Sequence, residues 1–200
     1  FSHRLSTKSM SLEKALQQDY GTVRRADRFY KTQMLDCLND MMMEFVPRQE
    51  MIFVSTADIE GNCDCSIRVG RKGFVHVVDQ NTIAYPEYRG NGVYASLGNI
   101  SENPHIGILM VDFYDSTVGL HINGVASIET EIDWVDDPLA ERWVKVSIEE
   151  AYIQCSKHIP LLEPKDKKIV WNTDDEKLKG GDYFKVQSGG KQADQSKPKT

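Results

Sequence analysis

The sequence predicts a mainly β fold in which short antiparallel strands curl into a barrel flanked by α-helices. Three observations carry that expectation. From Met51 the apolar period changes from helical to that of strands, turn signals recur at close spacing as far as Tyr85, and Val118 to Ile128 alternates cleanly between two faces. The chain has 200 residues, which suits one domain at roughly 100–200 residues each. With 40% hydrophobic and 9% aromatic residues it can bury a core of ordinary composition. A net charge of −6 argues against a general nucleic-acid binder, which presents a basic face. No apolar run approaches the ~20 residues of a membrane helix. The opening FSHRLSTKSM lacks both an initiating Met and an apolar stretch, so it reads as a trimmed start and not as a secretory leader.

The first third, 1–47, reads as a helical segment. Ser11 is positioned to cap LEKALQQDY, which stops at Gly21. A longer helix is predicted from Arg24 to Phe45, because Tyr30, Met34, Leu38, Met41, Met42 and Phe45 recur at helical spacing and Pro47 ends the run. The Met41-Met42-Met43 triplet suits irregular core gaps.

Residues 48–164 form the expected barrel domain. Strands are predicted over 51–57 and 63–70, separated by the turn signal Asp58-Ile59-Glu60-Gly61-Asn62. Gly73 opens another with Phe74, His76 and Val78 on one face, and Asp79-Gln80-Asn81 turns it into Thr82–Tyr85. Gly90-Asn91-Gly92 leads to a helix with Val93, Leu97 and Ile100 on one stripe, Asn91 as its N-cap and Asn103-Pro104 as its stop. His105 to Phe113 is apolar at nearly every position, as in a strand buried on both faces. A half-buried strand follows over Val118 to Ile128, then another over Glu141 to Ile148, and Glu149 to Lys157 reads as a last short helix. Residues 165–200 form a polar tail with too little apolar content to fold alone.

Four cysteines are present. Cys63 and Cys65 share one strand face, an awkward geometry for a disulfide, and no second ligand pair accompanies them for zinc. They read as reduced thiols of a cytoplasmic protein. Cys155-Ser156-Lys157-His158 has no identifiable base or orienting partner for a nucleophile. His76, His105 and His121 lie on strands and read as core or interface residues.

The pattern places Arg68, Arg71, Arg89 and Asn91 near strand ends and at a helix mouth, where unpaired N–H groups and guanidinium forks meet an anion. Arg68 and Arg71 equally fit solvated strand-end charges, and Tyr85 equally fits sheet packing.

The order of several short pieces adds a resemblance. Thr56-Ala57-Asp58 with Gly61, Ser66-x-Arg68, Gly73-Phe74-Val75, Arg89-Gly90-Asn91, Asn103-Pro104 and Ile122-Asn123-Gly124-x-Ala126 occur in sequence across Met51 to Ile128, extended by AYIQCSKHIP at 151–160. This half of the chain resembles the pyridoxamine 5′-phosphate oxidase-like family of FMN-binding split barrels. The resemblance implies a six-stranded antiparallel split β-barrel and a homodimer with two FMN molecules in clefts at the subunit interface. It also implies a flavin phosphate held by Arg68, Tyr85, Arg89 and Asn91, with Ser66 and Arg71 beside them. Trp171 is expected either over the flavin ring of the partner subunit or as an anchor for the tail. The pattern departs from the true oxidases: Asn91-Gly92 stands where they carry Arg-Lys, and nothing after Trp171 matches their Arg-x-His motif, so vitamin B6 oxidation is not implied. The expectation is therefore an FMN-dependent oxidoreductase acting on a small molecule, its catalytic residues unassigned. The competing expectations are the same barrel holding haem, through His76 or His121, or a deazaflavin, and a non-catalytic flavin-binding module.

Overall fold

A computed structural model of the protein describes residues 10–175, 177–178 and 182–186. Two short helices, α1 (Met10–Asp19) and α2 (Val23–Thr32), reverse at Gly21, whose φ of 64° is a left-handed conformation that glycine adopts freely. Ser11 falls inside α1 and not ahead of it. The long helix expected over 24–45 is broken. Met34 and Leu35 form β1, paired with Tyr152 and Ala151, and the Leu38 N–H donates to the Gln80 carbonyl at 2.7 Å. Helix α3 (Asp40–Phe45) then starts afresh behind Asn39, whose side chain accepts the Met42 N–H at 3.0 Å. Local capping and a strand partner thus override a helical spacing that is present in the sequence.

The remaining elements are β2 (Met51–Ala57), β3 (Cys63–Val69), β4 (His76–Asp79), β5 (Thr82–Tyr88), α4 (Ala95–Glu102), β6 (His105–Val111), β7 (Gly119–Glu129) and β8 (Ala140–Gln154). They form one antiparallel sheet in the order β3-β2-β6-β7-β8-β5-β4, with β1 on the far end of β8. Eight strands are present among the described residues where six were expected. Six is the number the resemblance implied; seven of the eight, β4 included, fall on strands read from the sequence, and the dipeptide β1 is the addition. Among the described residues the ladders run as an open path and do not close into a ring. Gly73–Val75, expected to begin a strand, instead makes a turn, with Gly73 at φ 88°.

One face of the sheet forms the core. Ile52, Val54, Ile83, Tyr85, Ile108, Met110, Ile122, Val144 and Val146 are fully buried, each at the inward phase of its strand. Burying one such aliphatic side chain contributes about 1.5–3 kcal/mol. Helix α4 covers the open side of the curl, inserting Leu97 and Ile100 into the core while Asn99 donates to the Thr56 hydroxyl at 3.1 Å.

The helix expected over 149–157 does not exist: β8 continues to Gln154, and a single 3₁₀ turn follows at Ser156–His158. Asn123 pairs with Glu150, but Gly124 pairs with Ile148, so Glu149 is an extra residue in the strand. This bulge shifts the inward phase from Ile148 to Ala151, a three-residue step that imitates helical spacing in the sequence.

Between β6 and β7 the chain turns on Asp112, whose carboxylate accepts the N–H groups of Tyr114, Asp115 and Ser116 and the Ser116 hydroxyl, at 2.7–3.1 Å. Partial burial pushes this carboxyl upward, yet the four donors outweigh it and hold it down at about 2. Asp112→Ala is expected to destabilise the protein by about 1.5–3 kcal/mol at neutral pH, the scale of hydrogen bonds to a charged acceptor. A depressed carboxylate stabilises above its unfolded pKa and ceases to do so as pH falls through the folded value, so urea denaturation should show the difference closing between pH 4 and pH 2.

No helix among the described residues is long and apolar enough to cross a membrane. The four cysteines are free thiols.

Candidate functional site

Strand β3 turns Asp64, Ser66 and Arg68 to one side, two residues apart, while Cys63, Cys65 and Ile67 are exposed on the other. Arg68 reaches across to β5, where its Nε donates to Glu87 at 2.7 Å; the two side chains are only 18% and 12% exposed. No ladder joins β3 to β5 among the described residues, because β4 pairs only with the first half of β5. A buried ion pair therefore bridges the gap that the backbone leaves in the barrel wall. Burial raises the Glu87 carboxyl above its ordinary range, with the Arg68 and Arg142 charges pulling the other way. Asp64 is held below its usual range by the Ser66 hydroxyl at 2.7 Å and then by the Ser96 hydroxyl at 2.8 Å.

A cavity of about 510 Å³ opens at this gap, walled by the ends of β3 and β5, the 89–94 loop, the start of α4, Glu141 and Arg142 of β8, and residues 169–172. That size lies within the range of small-molecule pockets. The loop is set by two left-handed residues, Gly92 at φ 80° and Tyr94 at φ 57°, and by Asn91, whose side chain accepts the Val93 N–H at 3.0 Å. Asn91 is thus a turn-former and not the expected N-cap. The helix begins at Ala95, four residues later, with no side-chain cap, so its first N–H groups have no partner within the helix. The Arg142 guanidinium lies 5.1 Å from the Tyr94 ring centroid and helps hold that bulky residue in a conformation it seldom adopts.

The 169–172 segment is a wall of the cavity within its own chain. Trp171 packs edge-on to Tyr88 with ring centroids 5.3 Å apart, and Tyr88 donates to Asp137 at 2.8 Å. Burial first, and then Asp137, raise the Tyr88 phenol. Asn172 accepts the Arg89 N–H at 3.1 Å and donates to the Leu139 carbonyl at 2.9 Å. The Arg89 side chain is half exposed, 3.0 Å from Asp174 and 3.8 Å from Glu141.

Of the six residues expected at a cofactor, Ser66, Arg68, Arg89 and Asn91 line this one cavity. Arg71 is exposed and outside its lining, and Tyr85 is buried in the core directly beneath Glu87 on the same strand face, its hydroxyl without a hydrogen-bond partner among the described residues. Burial drives the Tyr85 phenol strongly upward. Neither histidine considered for haem reaches the cavity. His76 is wedged edge-on between Trp134 and Trp143, each 5.4 Å away, and His121 stacks on Tyr152 at 4.6 Å while its Nε2 meets Gln154 at 2.8 Å. Arg142, Glu87, Tyr94 and Ser96 were missed by sequence reasoning. Arg142 stands directly across the ladder from Glu87, a pairing visible only once the register is known.

The family model described as pyridoxamine 5′-phosphate oxidase matches residues 38–165. No curated protein matches the chain. Among solved structures, HupZ of Group A Streptococcus is similar over 58% of this chain and 93% of its own, with 20% identity and a TM-score of 0.46. A putative pyridoxamine 5′-phosphate oxidase of Listeria innocua covers 57% and 95%, with 18% identity and a TM-score of 0.40. HutZ, the heme storage protein of Vibrio cholerae, covers 58% and 94%, with 16% identity and a TM-score of 0.40.

Proposed function

The chain belongs to the pyridoxamine 5′-phosphate oxidase family, and from that premise we propose that it is an FMN-binding oxidoreductase acting on a small molecule. The observation that carries the reading is the convergence of Ser66, Arg68, Arg89 and Asn91 with the uncapped start of α4 around one cavity. A phosphate monoester is an oxyanion that favours guanidinium donors and unpaired helix N–H groups. The residues present fit such a group, since the Nε of Arg142 in the cavity wall is buried with no acceptor.

In this reading Arg68, Arg89, Arg142 and the first N–H groups of α4 hold the phosphate, and Ser66 and Asn91 line its approach. Tyr88, Tyr94 and Trp171 supply aromatic walls that exclude water from the bound ring. FMN, when bound, supplies the electron transfer between substrate and acceptor. The reading also includes a homodimer in the cytoplasm with two such pockets between its subunits, an arrangement that the family resemblance implies.

The test is direct. Protein equilibrated with FMN should retain it through gel filtration, quench its fluorescence, elute at the mass of a dimer by light scattering, and become bleached by NADH or NADPH without oxygen. FMN that passes through unretained, or a Soret band in the purified protein, would overturn the reading. Retention without bleaching by any donor would leave a binding module in place of an enzyme.

A further inference from the structure

Glu87 sits in the cavity wall where two guanidiniums converge on one carboxylate. Arg68 of β3 donates to it at 2.7 Å, and Arg142 of β8 faces it directly across the ladder. Its side chain is almost closed off from water. The other ionisable side chains of that wall are Asp64 on β3, Glu141 on β8, Tyr88 on β5, and Arg89 and Tyr94 in the loop ahead of α4. The start of α4 and residues 169–172 add none, and beneath Glu87 the buried Tyr85 phenol completes its own strand face. Asp64 is fixed by the Ser66 and Ser96 hydroxyls, and Glu141 lies 3.8 Å from Arg89. Glu87 is different: burial opposes its charge, and Arg68 and Arg142 sustain it.

An anion seated on either arginine undoes that balance. It draws on the same two guanidiniums and adds a second negative charge beside a carboxylate that water scarcely reaches. Two like charges at close range in a dry site do not both persist; one of them takes a proton. We propose, building on the reading that this cavity holds an anionic ligand, that binding here is proton-coupled, with Glu87 taking up a proton from water as the ligand arrives. One O–H bond forms on the carboxyl, the Arg68–Glu87 ion pair is given up, and both guanidiniums serve the ligand. The proton leaves again when the ligand does. Affinity therefore falls as pH rises, by about tenfold per unit wherever Glu87 is ionised in the free chain and neutral in the complex.

The experiment measures protons and affinity together, in the wild-type chain and in Glu87→Gln, whose amide imitates the neutral carboxyl. Calorimetry of FMN binding in two buffers of different ionisation heat counts the protons taken up: about one for the wild type near pH 7.5, and none for the variant. By fluorescence quenching from about pH 7 to pH 8.5, where the FMN phosphate is already a dianion, wild-type affinity should drop by about tenfold per unit while that of Glu87→Gln stays level. Glu87→Gln should therefore bind FMN more tightly than the wild type at about pH 8.5, by about tenfold or more. A glutamate that only braces Arg68 would weaken binding when replaced. Sulfate, which carries no proton in this range, is added in parallel to unbuffered protein; the wild type should consume acid at constant pH and Glu87→Gln should not. If FMN binds without proton uptake, the coupling is wrong and the flavin reading stands. If sulfate draws a proton and FMN is not retained, the coupling stands and the flavin reading falls. Equal uptake in Glu87→Gln places the proton elsewhere and overturns the inference, and binding of neither anion overturns both. Should Glu87→Gln fail to fold, the wild-type proton count decides alone, and a count of zero overturns the coupling.

Discussion

Gly124→Ala should destabilise the protein by about 3 kcal/mol or more, at the upper end of overpacking costs. A Cβ at this position would lie 2.1 Å from the Ser147 carbonyl oxygen and 3.0 Å from its carbon. Both are backbone atoms of the neighbouring strand, so no side-chain rotation relieves the clash. The residue sits where the register between β7 and β8 shifts around the extra Glu149. Without the close approach that glycine allows there, the far half of β8 cannot keep Ala151 inward once the near half has placed Ile148 inward. Urea denaturation followed by tryptophan fluorescence measures the loss. Gly98→Ala is the internal control: an added Cβ in the middle of α4 meets nothing within 4 Å, so that substitution should stabilise by up to about 1 kcal/mol. Equal effects at the two glycines would disprove the argument from the bulge.

Arg68→Met should cost about 3–5 kcal/mol, because it strands the mostly buried Glu87 carboxylate. Replacing both partners, as Arg68→Met with Glu87→Leu, should return most of that stability, since neither charge then has to be desolvated. The single variant also carries a pH signature. In the wild-type chain burial already raises Glu87, opposed by Arg68 and Arg142. Removing Arg68 raises it further. A carboxyl raised by folding favours the native state below its unfolded pKa, and that contribution is lost as pH rises through the folded value. The deficit of Arg68→Met should therefore be small in mild acid and grow toward neutrality, and the double variant should show no such slope. Thermal melts across pH 4.5–8 distinguish these outcomes; a flat deficit would mean that the pair contributes through packing alone.

Much of the β scaffold was legible because period-2 patterning maps directly onto an inward and an outward face. Leu120 and Ile122, and Val144 and Val146, could be assigned before any pairing was known. The failures have a common physical origin. At Glu149 a bulge resets the phase, and the resulting three-residue step imitates a helix. At 33–39 a helical spacing of apolar residues is cut by the β1 pairing and the Asn39 cap, both set by partners distant in the chain or by a single side chain. In the cavity, local chemistry found Arg68 and Arg89 because they flank glycines and strand ends. Arg142 stands in the middle of an alternating strand, and only the register facing it to Glu87 gives it meaning. Tyr85 shows the converse: an aromatic residue near a basic loop reads as a ligand contact until its inward phase is counted.

The ionic bridge between β3 and β5 bears on how this scaffold changes over time. Along that line the enclosure is closed by side chains instead of rungs of amide hydrogen bonds, among the described residues. Paired replacements there can widen, narrow or recharge the opening while every rung elsewhere stays intact. A lineage carrying this architecture can thereby alter what the opening admits without rebuilding its strands.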